Sequence, residues 1–337
     1  MKTSLIDIRK DRDTALAEAR RLIADGSVVA IPTETVYGLA ANAFDEAAVR
    51  KIFEAKGRPA DNPLIVHISD ISELDALVTE IPEKVRVMAE KYWPGPLTMI
   101  MKKSSVIPDV TSGGLDTVAV RMPKSEYARA IISACGVPLA APSANLSGSP
   151  SPTDAQSVFD DMNGRIPLII DGGECEIGVE STVISFVGDT PTLLRPGGIT
   201  VGMIESTIGK INISDAVLNQ LRDGETAASP GMKYKHYAPK AKITIVKGDF
   251  EKFYNYVKDR DCFVLCFEGE EGHFANAVTY GKADDSRSEA HRLFSALREL
   301  DEKGAETVYA RCPEITGLGL AVYNRLIRSA GFNIIEL

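Results

Sequence analysis

The sequence predicts an α/β protein of two domains, in which a twisted, mixed sheet is followed by a smaller, doubly wound domain. At 337 residues the chain is long enough for two domains. Short apolar runs alternate with helical patterns over residues 1–208 and again over 241–337, and such alternation is typical of α/β folds. The pattern weakens over residues 209–240, which predicts a linker between the two domains.

Eight strands and five helices are predicted in the first domain. The strands are expected at residues 27–32, 64–68, 97–101, 118–121, 139–141, 168–170, 182–186 and 192–194, and the helices at 13–24, 45–55, 83–92, 125–134 and 154–162. Asp45 is a suitable N-cap for the second of these helices, and Gly57 is a suitable stop for it. Prolines border many of the strands, which favours a mixed sheet over a wholly parallel one.

The predicted linker contains a lysine-rich segment, residues 229–239, with prolines near both ends. One interpretation is a solvated spacer between the domains. The other is a lid over an active site, because tyrosine and histidine side chains are unusual in a mere spacer. Tyr234 and His236 are the lid residues that this second interpretation predicts.

The second domain is predicted to be a small doubly wound, Rossmann-like domain of about a hundred residues. Its strands are expected at 243–246, 262–267, 307–310 and 333–335, and its helices at 250–257, 288–303 and 320–330. Five scattered cysteines are an odd number and indicate reduced thiols.

Composition limits the classes of function. The net charge of -9 argues against a broad nucleic-acid-binding surface, although it allows one small basic pocket. No apolar run is long enough to span a bilayer, and the charged N-terminus argues against a secretory signal, so we expect a cytoplasmic protein. The sequence has no phosphate-binding P-loop, nucleophile elbow or kinase motif.

Two polar motifs about eighty residues apart are the strongest signs of chemistry. Residues 56–59 read KGRP and residues 143–148 read SANLSG, and each follows an apolar stretch. Cations from one loop combined with hydroxyl and amide groups from the other suit a nucleotide phosphate. Few acids lie near these motifs, which favours charge stabilisation and positioning over acid–base chemistry.

Further polar residues fall where predicted strands begin or end, and such strand ends form the usual ligand crevice of an α/β sheet. They are Thr33, Glu34, Thr35, His67, Arg121, Ser143, Asn145, Ser181 and Arg195. We expect the set to converge on one site.

These residues belong to motifs that resemble the YrdC-type catalytic domain of threonylcarbamoyl-AMP synthases. The motifs are IPTETVYGL at 31–39, KGR at 56–58, WPGPLT at 93–98, SAN at 143–145, DGG at 171–173 and EST at 180–182. Residues 229–239 and the following domain resemble the long form of that family, so the resemblance covers essentially the whole chain. It implies an open, twisted sheet around a basic cavity.

The resemblance also implies a reaction, in which L-threonine, bicarbonate and ATP give threonylcarbamoyl-AMP and pyrophosphate for the modification of tRNA. Mg²⁺ is expected to arrive with ATP, with no metal ion held by the protein itself. Five residues should surround L-threonine: Thr35, His67, Arg121, Ala141 and Ser181. Eight should surround ATP: Lys56, Arg58, Asn62, Thr117, Ser143, Asn145, Ser151 and Arg195. The product would pass to the tRNA-modifying machinery, without stable nucleic-acid binding by this chain.

Two other functions remain open from the sequence. An RNA-binding module would use the basic cavity to hold nucleic acid, but the acidic composition disfavours it. A carbamoyltransferase of the hydrogenase-maturation type shares this kind of domain. Such chains also carry an acylphosphatase module and paired-cysteine zinc fingers, and neither pattern occurs here.

Overall fold

A computed structural model describes residues 1–60, 62–219 and 237–337. Tyr234 and His236, the predicted lid residues, lie outside the described residues. Among the helices that are described, none is both long and apolar enough to cross a membrane.

The first part of the chain alternates strands and helices. Its strands are β1 (Ser4–Asp7), β2 (Val29–Ile31), β3 (Gly38–Asn42), β4 (Ile65–His67), β5 (Leu97–Lys102), β6 (Thr117–Arg121), β7 (Leu139–Ala140), β8 (Leu168–Asp171), β9 (Thr182–Ser185), β10 (Thr192–Arg195) and β11 (Asn212–Ile213). Its helices are α1 (Arg12–Ala24), α2 (Glu46–Lys56), α3 (Leu74–Leu77), α4 (Glu83–Tyr92), α5 (Asp109–Ser112), α6 (Glu126–Cys135), α7 (Ala155–Met162) and α8 (Val201–Ile208).

Within the described residues these strands form one sheet of eleven, in the order β1-β8-β2-β3-β7-β4-β6-β5-β9-β10-β11. Parallel pairs such as β4 with β6 stand beside antiparallel pairs such as β4 with β7. The predicted mixed sheet is therefore confirmed. It includes β11, so the sheet runs a few residues past the predicted end of the first domain at 208.

Helix α2 begins after the predicted cap and ends at the predicted glycine, and its local contacts show why. The Asp45 carboxylate caps its start by accepting hydrogen bonds from the backbone N–H groups of Ala47 and Ala48. The chain then leaves the helix at Gly57, whose φ of 63° lies in the left-handed region that glycine adopts without strain. This stop places Lys56 at the end of a rigid element.

The second part of the chain forms a separate parallel sheet. Its strands are β12 (Lys242–Lys247), β13 (Phe263–Cys266), β14 (Ala277–Thr279), β15 (Thr307–Arg311) and β16 (Ile334–Glu336), and its helices are α9 (Phe250–Val257), α10 (Ser286–Glu302) and α11 (Gly319–Ser329). The strand order is β14-β13-β15-β12-β16, and each adjacent pair is parallel. The prediction of a second α/β domain is confirmed, although strand β14 was not foreseen.

The two parts share apolar packing. Val36 and Val179 of the first part lie in the same buried cluster as Leu293, Phe294 and Leu297 of helix α10. Their contact brings helices α10 and α11 against the edge of the large sheet where the predicted site residues lie.

Candidate active site

Strand pairing brings the predicted site residues to one edge of the large sheet. His67 ends β4 and Arg121 ends the parallel strand β6, and the two residues are direct register partners. Ala141 follows the neighbouring strand β7, and its N–H donates to the Ile65 carbonyl at 2.9 Å. Arg195 closes β10 near the same edge.

These residues line one pocket together with the two polar motifs. The lining comprises Thr33, Thr35, Val36, Gly38, Lys56, Arg58, Ile65, His67, Arg121, Ala141, Pro142, Ser143, Asn145, Ser147, Gly148, Ser149, Glu180, Ser181, Arg195 and Tyr237. Four cationic side chains therefore face one carboxylate. The space within this lining is about 70 Å³, room for a few water molecules.

Arg121 is held in place by three hydrogen bonds at the inner end of the pocket. It donates to Glu34 Oε1 at 2.6 Å, to Thr35 Oγ1 at 2.9 Å and to the Gly95 carbonyl at 3.3 Å. A guanidinium has five N–H donors, so two remain available beyond these described contacts. Burial raises the pKa of Glu34, but the charge of Arg121 and the hydrogen bonds that the carboxylate accepts from Arg121 and from backbone N–H groups together keep that pKa below its ordinary value. The pair stays ionised, and Arg121 presents a fixed fork that suits a carboxylate.

His67 lies beside this arginine as a neutral ring. Burial and the neighbouring charge of Arg121 lower its pKa to about 3. Its Nδ1 is 3.1 Å from the Ile65 carbonyl, which can only accept, so Nδ1 carries the proton of the neutral ring. The other nitrogen, Nε2, then carries no proton and can only accept a hydrogen bond.

Lys56 joins the two polar motifs. Its amine donates to the carbonyls of Ser143 at 2.5 Å and Asn145 at 2.7 Å, and its own carbonyl accepts from the Ser147 N–H at 2.9 Å. Burial, with the nearby charge of Arg58, lowers the pKa of Lys56 to about 7. The SAN loop is thus fixed directly onto the end of helix α2.

Ser181 anchors the opposite wall. Its hydroxyl lies 2.8 Å from Thr98 Oγ1 and accepts a hydrogen bond from Arg195 Nη2 at 3.1 Å. Arg195 also donates through Nε to the Ser181 carbonyl at 3.0 Å. Burial lowers the pKa of Arg195 to about 10, which leaves it charged at neutral pH.

All five residues predicted to surround L-threonine line the pocket, as do five of the eight predicted to surround ATP. Asn62, Thr117 and Ser151 do not line it. Thr117 begins β6 whereas Arg121 ends it, which separates them by about 13 Å at the usual rise of a strand. Ser151 is fully buried, and its hydroxyl donates a hydrogen bond to Glu180 Oε1 at 2.5 Å. Asn62 is also fully buried, and its amide makes no hydrogen bond within the described residues.

Sequence reasoning did not assign a role to Glu180 or Tyr237, although both line the pocket. Glu180 stands in the EST motif, so its position was visible but its contacts were not. Tyr237 follows the predicted lid residues directly, and its ring packs 5.2 Å from that of Phe294 on helix α10. The second domain therefore reaches the pocket wall.

The pocket offers no cage for a metal ion. Glu180 is the single carboxylate among the lining residues that the structure describes, and that carboxylate is already bonded to Ser151 and Arg325. Across residues 1–60, 62–219 and 237–337, no three His, Cys, Asp or Glu side chains are placed to bind a metal together.

Comparison with known proteins places the whole chain in one family. Residues 21–197 match the Sua5, YciO and YrdC family, described as telomere recombination, and residues 199–331 match the family described as threonylcarbamoyl-AMP synthase, C-terminal domain. The threonylcarbamoyl-AMP synthase of Pyrococcus abyssi is 48% identical over 99% of this chain and 100% of its own length. That of Bacillus subtilis is 47% identical over 96% of this chain and 95% of its own.

The solved structures agree with the sequences. The crystal structure of P. abyssi Sua5 complexed with L-threonine aligns with a TM-score of 0.93 and 46% identity, covering 100% of both chains. The resemblance inferred from the motifs is confirmed. The RNA-binding and carbamoyltransferase alternatives are set aside, because the three curated relatives that match over 90% or more of this chain are each named threonylcarbamoyl-AMP synthase. The chain belongs to the threonylcarbamoyl-AMP synthase family, whose members are nucleotidyl-transferring enzymes.

Proposed function

We propose that this pocket joins L-threonine, bicarbonate and ATP into threonylcarbamoyl-AMP, with release of pyrophosphate. One observation carries the proposal: Lys56, Arg58, Arg121 and Arg195 line one pocket, and only one carboxylate lies among its described lining residues. Such an arrangement suits an anionic nucleotide beside an amino acid. A similar protein from P. abyssi has been solved with L-threonine, which supports an amino-acid site here.

The amino acid belongs at the Arg121 end of the pocket. The two remaining N–H groups of Arg121 take up the threonine carboxylate, and the hydroxyls of Thr35 and Ser181 lie on either side for the polar groups of the substrate. Ala141 supplies an apolar wall for the methyl group. The neutral His67 can accept a hydrogen bond from the substrate through Nε2. None of these contacts occupies the lone pair of the substrate amine, which stays free to react.

ATP belongs at the opposite end, over the KGR and SAN motifs. Arg58, Arg195 and the Ser143 hydroxyl face its phosphates, while Lys56 fixes the SAN loop and adds positive charge. A close pair of opposite charges contributes roughly 4 kcal/mol at an effective dielectric of 20 before desolvation. The described lining holds one carboxylate and no cage of them, which suits Mg²⁺ that enters as part of the MgATP substrate, bound by phosphate oxygens and water.

The reaction then follows from placing the two substrates side by side. The threonine amine adds to the carbon of bicarbonate, and loss of water leaves a carbamate. A carbamate oxygen attacks the α-phosphorus, the bond to the β,γ-phosphates breaks, and pyrophosphate departs. The fixed cations offset the charge that develops on the phosphates. The labile product is destined for the machinery that modifies tRNA.

Pyrophosphate release tests this function. The protein should release pyrophosphate from ATP when both threonine and labelled bicarbonate are present, and the label should appear in an adenylate. Serine lacks the methyl group and should react at about a tenth of the efficiency or less, since a methyl is worth about 1–3 kcal/mol. Valine leaves a buried hydroxyl partner unpaired and should be poorer still. Equal release with threonine and valine would contradict the proposed amino-acid site.

Binding measurements separate the two ends of the pocket. Calorimetric titration should find that Arg121→Ala chiefly weakens threonine binding and that Arg58→Ala chiefly weakens ATP binding. Lys124→Ala serves as the control, because Lys124 pairs with Glu176 in a largely exposed position. The reverse pattern would require the two substrates to exchange places.

A further inference from the structure

An arginine of the second domain lies directly behind the pocket. Arg325, on helix α11, is fully buried. Its Nε donates to Glu180 Oε2 at 2.8 Å, and its Nη2 donates to the Glu180 carbonyl at 3.2 Å. Its Nη1 donates to the Pro196 carbonyl at 2.9 Å and to Asn324 Oδ1 at 2.8 Å. One side chain thus bonds both the carboxylate and the backbone of Glu180.

Through Glu180 this contact reaches both ends of the pocket. The second carboxylate oxygen, Oε1, accepts the Ser151 hydroxyl, at the end of the loop that begins with the SAN motif. The next residue in the chain is Ser181, in the wall proposed to face threonine. Arg325 therefore fixes the one segment that joins the two substrate positions.

Close packing makes this segment sensitive to displacement. A Cβ atom on Gly197 would lie 2.3 Å from the Thr182 N and 2.8 Å from the Glu180 carbonyl oxygen. Residues 196–198 and 180–182 therefore run against each other backbone to backbone. Arg325 bonds a carbonyl on each side of this contact, at Pro196 and at Glu180, and so fixes their relative position.

The charge of Glu180 gives Arg325 a second role. A carboxylate in the wall of a pocket for a triphosphate repels that ligand unless its charge is offset. Burial raises the pKa of Glu180, but the charges of Arg325 and Arg195 and hydrogen bonds from Arg325 and Ser151 together lower it below the ordinary value. The carboxylate is ionised, and Arg325 is bonded to it directly while facing away from the pocket lining.

We propose that Arg325 is a positioning residue for the nucleotide: it offsets the charge of Glu180 and fixes the 180–182 segment, so that ATP can lie beside that carboxylate. The inference rests on the proposed function, and it assigns the second domain a part in forming the ATP site. The Arg325–Glu180 pair is the link through which that domain acts.

Other contacts hold the domains together without Arg325. Arg298 on helix α10 pairs with Asp161 at 2.8 Å and donates to the Pro150 carbonyl at 2.6 Å. Asn324 donates to the Val217 carbonyl at 2.6 Å. The shared apolar cluster remains as well. We therefore expect a variant at Arg325 to keep its domains docked, so that effects on ATP can be measured on a folded protein.

ATP binding by calorimetric titration tests the proposal directly, because it does not require turnover. Arg325→Met keeps an unbranched apolar stem but leaves the Glu180 charge without its partner, and ATP affinity should fall at least tenfold. Threonine affinity should change less than threefold. Arg325→Lys retains the charge but not the fork, and it should lose affinity by a smaller factor. Arg292→Ala, at a partly exposed position of helix α10 whose ion-pair partner is Glu299 of the same helix, is the control and should bind ATP as the wild type does.

The double variant Arg325→Met/Glu180→Gln distinguishes positioning from simple loss of structure. It removes the uncompensated carboxylate, so it should recover several-fold of the ATP affinity that Arg325→Met loses. A merely structural role predicts no recovery, and that result would overturn the proposal. If Arg325→Met does not fold, the same comparison is made with Arg325→Gln and with Arg325→Gln/Glu180→Gln, because glutamine also lacks the charge.

The outcomes separate this proposal from the proposed function. Wild-type protein that binds no ATP would refute the function itself. Wild-type binding with unchanged affinity in both Arg325→Met and Arg325→Lys would leave the function standing and overturn the role of Arg325. Parallel losses of ATP and threonine affinity would also overturn it.

Discussion

Two buried carboxylates, one in each domain, have opposite surroundings. Glu180 in the pocket wall is 7% exposed and is bonded to Arg325 and Ser151. Glu289 on helix α10 is 1% exposed, and its Oε2 has no hydrogen-bond partner among the described residues. The pKa of Glu180 is below its ordinary value of 4.5, whereas burial and neighbouring acids raise that of Glu289 to about 7.

The surroundings of Glu289 are acidic or neutral. Asp284 and Asp285 precede it at the start of its helix, and Glu314 lies across from it; all three disfavour its ionised form. Tyr280 and Cys312, the other titratable groups near it, have raised pKa values and stay neutral at pH 7. Of these two buried carboxylates, the one that has an arginine partner is kept ionised, and it is the one in the pocket wall.

The largest expected change in stability comes from breaking the ion pair between Glu180 and Arg325. Glu180→Ala leaves the Arg325 charge buried without a partner, which costs about 3–5 kcal/mol. We expect a substantial fall in the thermal midpoint, measured by scanning calorimetry. Glu176→Ala is the control, since its ion pair with Lys124 is well over half exposed and worth at most about 1 kcal/mol. Equal midpoints for Glu180→Ala and the wild type would refute the comparison.

Removing the charge of Glu289, which has no arginine partner, should instead stabilise the protein. With a folded pKa of about 7 against an ordinary 4.5, Glu289 contributes stability that is complete below pH 4.5 and is lost as the pH rises through 7. Glu289→Gln cannot ionise, so it should be more stable than the wild type at pH 8, by up to about 3 kcal/mol. At pH 4.5 the difference should disappear.

Thermal midpoints at the two pH values measure this change. Glu302→Gln lies on the exposed side of the same helix and should show no such pH-dependent gain. A midpoint difference between Glu289→Gln and the wild type that stays constant with pH would show that Glu289 does not titrate as described.

Asp161, a third carboxylate with an arginine partner, extends the comparison to a smaller change in stability. Asp161 is 11% exposed in its side chain, pairs with Arg298 and accepts the Leu146 N–H at 3.1 Å. Arg298→Ala should cost about 1–2 kcal/mol, because it removes a partly buried charge-assisted bond. It should also weaken ATP binding a few-fold by freeing the loop that carries Ser143. Arg292→Ala, whose partner Glu299 is more exposed, should cost less than about 0.5 kcal/mol; equal losses would remove Asp161 from the series.

The sequence predicts elements well where caps or strong periodicity mark them. Helix α2 follows its Asp45 cap and Gly57 stop closely. Strand β3 was missed because its sequence, GLAAN, has small residues without alternation and is buried along nearly its whole length. Helix α8 was missed because Gly202 and β-branched residues weaken its helical pattern.

The site shows the same division. Polar residues at strand ends predicted which side chains meet, because strand topology brings those ends to one edge. The sequence could not show what each group does there, since the Lys56 amine bonds carbonyls of the SAN loop 87 and 89 residues away. Nor could helix α11 be predicted to bury Arg325, because its contacts with Glu180 span 145 residues. Such partners are set by how the domains dock.

The bond between Arg325 and Glu180 also bears on how this sequence can change over generations. A premature stop anywhere before codon 325 would leave a catalytic half with a bare negative charge at its nucleotide wall. Shedding the second domain without harm would therefore require a simultaneous replacement at position 180. We therefore expect a change at position 325 to favour a matching change at position 180.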